Sequence, residues 1–118
     1  MSDLQQKVLK PWGTYEIIYE SNSFKVKHIL VNPKGKLSLQ MHKFRSEHWV
    51  VVKGKAVVTL GTEIIELIKD QSVYIPVETK HSIENKEKKP LEFIEVQNGS
   101  YLGEDDIYRF EDIYGRED

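Results

Sequence analysis

In Leu37-Ser38-Leu39-Gln40-Met41-His42-Lys43-Phe44-Arg45-Ser46-Glu47, apolar and polar residues alternate as far as His42, the two-residue period of a β-strand. Leu37, Leu39 and Met41 share one face, and Ser38, Gln40 and His42 share the other. Gln40 and His42 therefore project to the same side. Glu47 follows at the head of a second strand, Glu47 to Val52, which Lys53-Gly54 ends. A sandwich strand wets its polar side, whereas a small barrel encloses both sides and lines a pocket with the polar one. Pattern alone leaves those two cases open.

The same reading extends outward from this stretch. Trp12 to Glu20 is rich in aromatic and β-branched residues. Phe24 to Val31 alternates, with Phe24, Val26, His28 and Leu30 against Lys25, Lys27 and Ile29, and its more apolar face reads as the core side. On that face His28 reads as a packed, hydrogen-bonded core histidine. Asn32-Pro33-Lys34-Gly35 is a turn. Ala56 to Leu60, Glu63 to Ile68, Ser72 to Ile75, His81 to Asn85 and Leu91 to Gln97 read as further strands, with a loop from Pro76 to Lys80. Strands at roughly ten-residue spacing predict an all-β sandwich or barrel. Residues 1–9 are expected to be a flexible N-terminus, residues 10–98 the core, and the acidic, aromatic residues 99–118 a tail holding a helical turn against the barrel.

Composition narrows the function. The chain has 118 residues, enough for one domain with one core. Its 17 Lys and Arg against 19 Asp and Glu leave a net charge of −2, without the basic excess of a nucleic-acid binder. The absence of cysteine excludes disulfides and thiolate zinc sites and fits a cytoplasmic protein. No apolar run approaches the ~20 residues of a membrane span, and Met1 to Lys10 lacks a signal-peptide core. No nucleic-acid or membrane partner is expected.

Gln40, His42, Glu47 and His81 combine an amide oxygen, two imidazoles and a carboxylate, a mixed donor set for a divalent cation. Zinc is the first expectation, with manganese, nickel, cobalt and iron also compatible. Glu47 and His48 are neighbours on a strand and face opposite ways, so only one of them readily points at such a cation.

Gly35, Gln40-Met41-His42, Glu47 and Gly54, followed by Asp70, Pro76, Glu78, His81 and Asn85, resemble the two motifs of the cupin family. Gln40 stands where many cupins have His, and Asp70 and Glu78 stand where they have Gly. The resemblance narrows with Lys10-Pro11-Trp12-Gly13, Phe24-Lys25-Val26-Lys27, Glu47-His48-Trp49-Val50-Val51-Val52, Gly99 to Ile107, and Phe110 to Arg116. Together they are similar to the C-terminal cupin domain of type II phosphomannose isomerases, which is often fused to a mannose-1-phosphate guanylyltransferase domain. Three consecutive His of that group appear here as His42-Lys43-Phe44.

The resemblance implies a double-stranded β-helix, or jelly-roll barrel, with a metal held by Gln40, His42, Glu47 and His81. It implies interconversion of mannose 6-phosphate and fructose 6-phosphate, and no guanylyltransferase activity from this chain. Alternatives are a non-catalytic cupin that binds a sugar or sugar phosphate, and another metal-dependent cupin enzyme such as a dioxygenase. For the phosphate, Arg45 at the pocket mouth is preferred over Lys25, Lys27, Arg109 and Arg116, which read as solvated cations. Glu95 and Glu47 are the candidate bases. Trp12, Trp49 and Tyr101 read as core or interface aromatics. A homodimer through Leu37, Leu39 and Met41 is expected.

Overall fold

The computed structural model describes residues 6–111, and all of their regular structure is β. In chain order the strands are β1 (Lys7–Lys10), β2 (Gly13–Glu20), β3 (Phe24–Val31), β4 (Leu39–Met41), β5 (Arg45–Lys53), β6 (Ala56–Leu60), β7 (Glu63–Leu67), β8 (Ser72–Ile75), β9 (His81–Glu84), β10 (Leu91–Gly99) and β11 (Tyr108–Glu111). They form a six-stranded sheet of order β1-β2-β3-β10-β5-β8 and a five-stranded sheet of order β11-β4-β9-β6-β7. Every pairing between them is antiparallel. No helix among the described residues is long and apolar enough to cross a membrane.

The core lies between the two sheets. Trp12, Ile29, Val31, Trp49, Val51, Ile75, Leu91 and Phe93 come from the side of the first sheet, and Ala56, Val58, Leu67 and Ile83 from the second. Alternation places these side chains on one face of each strand. Their burial stabilises by about 1.5–3 kcal/mol for each large apolar side chain. Asn85 closes the end of the barrel near the 32–35 turn. Its amide nitrogen donates to the carbonyls of Val31, Asn32 and Lys89 at 3.1, 3.2 and 2.8 Å.

Asp70 and Glu78 adopt left-handed backbone, with φ of 75° and 57°. These are the two positions at which the resembled motif carries glycine. The turn geometry is therefore kept, although a side chain there costs about 1–2 kcal/mol. The turn at Glu78 serves the site directly, because Glu78 N donates to the His42 carbonyl at 2.7 Å.

Several local expectations are corrected. Lys7 to Lys10 pair with β2, so the described part of the expected N-terminal end is a strand, and residues 1–5 lie outside the described residues. Tyr108 to Glu111 form a strand on β4, so the described part of the tail extends a sheet rather than adding a helical turn. On β3 the inward residues are Lys25, Lys27, Ile29 and Val31, all buried. His28 is thus on the outer face, where its ring nitrogens lie 3.3 Å from Glu16 Oε1 and 2.9 Å from Glu92 Oε1. It is not a core histidine. Leu37, assigned to an outer contact face, packs against the core cluster.

Candidate metal centre

Gln40 and His81 are register partners on β4 and β9, so they stand side by side on one face of the second sheet. His42 follows one inward position beyond Gln40, just past the end of β4. Glu47 faces them from β5 of the first sheet. His42, Glu47 and His81 are each 1–2% exposed, and one ligating atom from each lies within 4.8 Å of the others. Gln40, Arg45 and Glu95 line the same cavity of about 140 Å³. His48 points away from it, exposed, with its ring 4.7 Å from that of Tyr74, so the inward member of the pair is Glu47.

Main-chain carbonyls set both imidazoles. His42 Nδ1 donates to the Asp106 carbonyl at 2.7 Å, and His81 Nδ1 donates to the Thr79 carbonyl at 2.9 Å. A carbonyl only accepts, so each Nδ1 carries the proton and each Nε2 presents a lone pair. Burial holds the His42 pKa down at about 4, helped by the Arg45 charge. Burial also lowers that of His81. Both rings are therefore neutral near pH 7.

This arrangement fits a cation. His81 Nε2 is buried with no hydrogen-bond partner among the described residues. His42 Nε2 lies 3.2 Å from Glu47 Oε2, which sets two acceptors face to face. The Arg45 guanidinium relieves that clash, with Nε 2.9 Å from Glu47 Oε2 and Nη2 3.2 Å from His42 Nε2. Gln40 donates through its amide nitrogen to Ser38 Oγ at 2.9 Å, and its ligating atom is the oxygen. The donors present are the mixed nitrogen and oxygen set that divalent transition metals take. Arg45 is therefore buried deep in the cavity, not stationed at its mouth.

Glu95 is 6% exposed and is fixed from both sides. Gln97 Nε2 donates to its Oε1 at 2.7 Å, and Trp49 Nε1 donates to its Oε2 at 3.1 Å while also reaching Glu47 Oε1 at 2.9 Å. Burial, with the charge of Glu47 added, raises the Glu95 carboxyl to about 7, against the pull of Lys27 and Arg45.

The cavity also holds residues to which the sequence reading gave no such place. Lys27 is buried there rather than solvated, and Arg109 lines the wall. Arg116 lies outside the described residues. Asp106 anchors the tail to the site: its carboxylate accepts from Lys43 N and Phe44 N, both at 2.9 Å, while its carbonyl holds His42. Nothing local marks Asp106, since the groups that its carbonyl and carboxylate bind lie 62–64 residues away. Lys27 did leave a signal, in an alternation whose opposite face was taken as inward.

Comparison with known proteins agrees with this architecture. A family model described as mannose-6-phosphate isomerase C-terminal matches residues 1–112. The xanthan biosynthesis protein XanB of Xanthomonas campestris is 57% identical over 111 residues, covering 94% of this chain and 24% of that protein. The mannose-1-phosphate guanylyltransferase ManC of Salmonella typhimurium is 50% identical over 113 residues, 96% of this chain and 24% of that one. The chain thus spans about a quarter of the length of these relatives. Among solved structures, oxalate decarboxylase from Bacillus subtilis superposes with a TM-score of 0.79 at 21% identity, over 89% of this chain and 30% of that one. The fold is that of a cupin, a double-stranded β-helix, and by sequence the chain belongs to the mannose-6-phosphate isomerase C-terminal family.

Proposed function

We propose that this chain interconverts mannose 6-phosphate and fructose 6-phosphate, with a divalent cation held by Gln40, His42, Glu47 and His81. One observation carries the reading: the neutral imidazole and carboxylate cluster shares a small cavity with a separate buried carboxyl, Glu95. Aldose–ketose isomerisation needs both parts, a polarised pair of oxygens and a base that shuttles a proton between adjacent carbons. When bound, the cation supplies Lewis acidity to the sugar oxygens at C1 and C2.

The chain's own residues supply the rest. Glu95 takes the proton from C2 of the aldose and returns it at C1, held in one orientation by Gln97 and Trp49. The Arg45 guanidinium offers N–H groups toward negative charge that develops on the sugar oxygens. Its Nη1 is buried without a partner among the described residues, which leaves a donor for that task. Lys43 and Phe44, which replace two histidines of the resembled group, are exposed and do not line the cavity, so their loss leaves the proposed machinery intact.

The test is a coupled assay of mannose 6-phosphate isomerisation on metal-stripped chain, with zinc, cobalt, manganese and nickel added back, beside His42→Ala. Activity that returns with metal and is absent in the variant is the expected result. Tight metal binding without turnover under any metal would overturn the isomerase reading and favour a sugar-phosphate binding module.

A further inference from the structure

Lys25 and Lys27 occupy inward positions of β3, each 4% exposed. On the same face the next two positions are Ile29 and Val31, so apolar side chains would serve the fold there at lower cost. Burying an ammonium group is strongly unfavourable unless an anion compensates it. The compensation found here is unusual in its source. Lys27 Nζ lies 2.8 Å from Glu104 Oε2, and Lys25 Nζ lies 3.4 Å from that same oxygen. Two buried cations converge on one oxygen of a carboxylate whose side chain is 52% exposed.

Apart from Glu104, the negative charge around this cation pair comes from Glu20 beside Lys25 and from the buried Glu95, whose charge favours the Lys27 ammonium. Lys25 has Glu20 Oε2 at 3.5 Å, from a side chain that is 43% exposed, and the Leu102 carbonyl at 3.0 Å. Lys27 rests over the Tyr15 ring, 4.2 Å from its centroid. A phosphate monoester carries about −1.5 to −2 charges at pH 7 and three acceptor oxygens, so it satisfies both ammonium groups better than one carboxylate oxygen does. Lys27 and Glu104 line the cavity that holds Glu95 and the candidate metal ligands, which puts this anion position within the same chamber as the proposed chemistry.

The loop that carries Glu104 is tied down on both sides of it. Lys25 Nζ grips the Leu102 carbonyl, Asp106 N donates to the Gly103 carbonyl at 3.2 Å, and the Asp106 carboxylate holds Lys43 N and Phe44 N. The Glu104 side chain, half in water, can therefore leave by rotation while its backbone stays. We propose that Lys25 and Lys27 form the phosphate site, and that Glu104 is a built-in anion that occupies it and is displaced when the sugar phosphate binds. This rests on the sugar-phosphate reading of the cavity. Glu104 then acts as a selectivity filter, since an incoming anion must outcompete a resident carboxylate and a dianion does so better than a monoanion.

Calorimetric titration of the full chain with inorganic phosphate, mannose 6-phosphate and unphosphorylated mannose tests this in wild type, Glu104→Gln and Lys27→Gln. Glu104→Gln is expected to bind phosphate and mannose 6-phosphate roughly tenfold tighter, and Lys27→Gln roughly tenfold more weakly, with mannose unchanged in both. In turnover, Glu104→Gln lowers KM with little change in kcat. Phosphate binding that is unchanged or weakened in Glu104→Gln would overturn the proposal. That variant sits at a half-exposed position, so the test stands even where Lys27→Gln fails to fold. A chain that isomerises normally but whose KM ignores Glu104→Gln keeps the catalytic reading and loses this one. A chain that isomerises nothing, yet binds phosphate tighter as Glu104→Gln, does the reverse.

Discussion

The inner face of the six-stranded sheet is divided in two. At one end the registers of β3, β10 and β5 set Val31 beside Leu91, and Ile29 beside Phe93 and Val51. Two inward rows further along, the same strands set Lys25 beside Gln97 and Glu47, with Gly99 and Arg45 beyond them. Lys27, Glu95 and Trp49 form the row between. Antiparallel pairing runs through both ends, with a register shift at Glu92/Phe93 in the apolar one, yet the first end is filled with apolar side chains and the second mostly with polar and ionisable ones. Arg45 Nη1, His81 Nε2 and Gln97 Oε1, each buried without a partner among the described residues, all lie toward the second. Leaving polar atoms unpaired costs about 1–3 kcal/mol each. The apolar end thus supplies stability that the polar end spends on a chamber ready to receive polar groups.

Substitutions at matched depths separate the two ends most sharply. Glu95→Gln is expected to lower kcat for mannose 6-phosphate isomerisation by about 10²–10⁴ while leaving the folded chain at least as stable, because a neutral amide needs less desolvation than a carboxylate. A urea titration beside the coupled assay reads both quantities, and a variant that unfolds as readily as it loses activity would erase the distinction. Phe93→Ala, two positions away on the same strand, should show the opposite pattern. Loss of a fully buried ring lowers stability by about 3–5 kcal/mol, with kcat of the folded fraction nearly preserved. A large fall in kcat in that fraction would mean that the apolar end also shapes the chemistry.

Smaller effects test how the polar end is held. Asp106→Ala releases the backbone of Lys43 and Phe44 and loosens the carbonyl that orients His42. Metal affinity should fall about 10–100-fold, measured by competition with a chromophoric chelator. Unchanged affinity would show that β11 and β4 alone position His42. Glu104 gives the smallest effect. Burial works to raise its carboxyl, but Lys27, Arg45 and Lys25 outweigh that and hold it at about 2, below the ordinary 4.5. A carboxyl depressed by folding contributes stability that is full above the ordinary value and is lost as pH falls from about 4.5 toward about 2. Half-exposure reduces that contribution to about 1 kcal/mol. Melting curves across this interval should therefore fall less steeply for Glu104→Gln than for wild type. Parallel curves would show that the Lys27 pairing adds nothing to stability.

Much of the site was legible because its logic is local. Gln40 and His42 share a face by strand period, and Glu47 opposes His48 for the same reason. Arg45 and Glu95 were named from the sequence and do line the cavity. The face of β3 was misread because Phe24, Val26, His28 and Leu30 look more apolar than Lys25, Lys27, Ile29 and Val31. Apolar count identifies the inner face of a strand that only packs. It fails for a strand whose inner face is half core and half polar cavity wall. The strand at Tyr108 to Glu111 was missed because it forms by pairing with β4, far away in sequence.

Alternation along the chain assigned which side chains travel together, since a two-residue period places every strand residue on one of two faces whatever surrounds it. The sequence also carried the family and the candidate donor set. Which face turned inward was decided only by the packing of two sheets, where burial is summed over many strands at once. The same packing brought Glu104 onto Lys27 across 77 residues and set Arg45 between His42 and Glu47. Such contacts depend on distances in space, and alternation along the chain does not encode them.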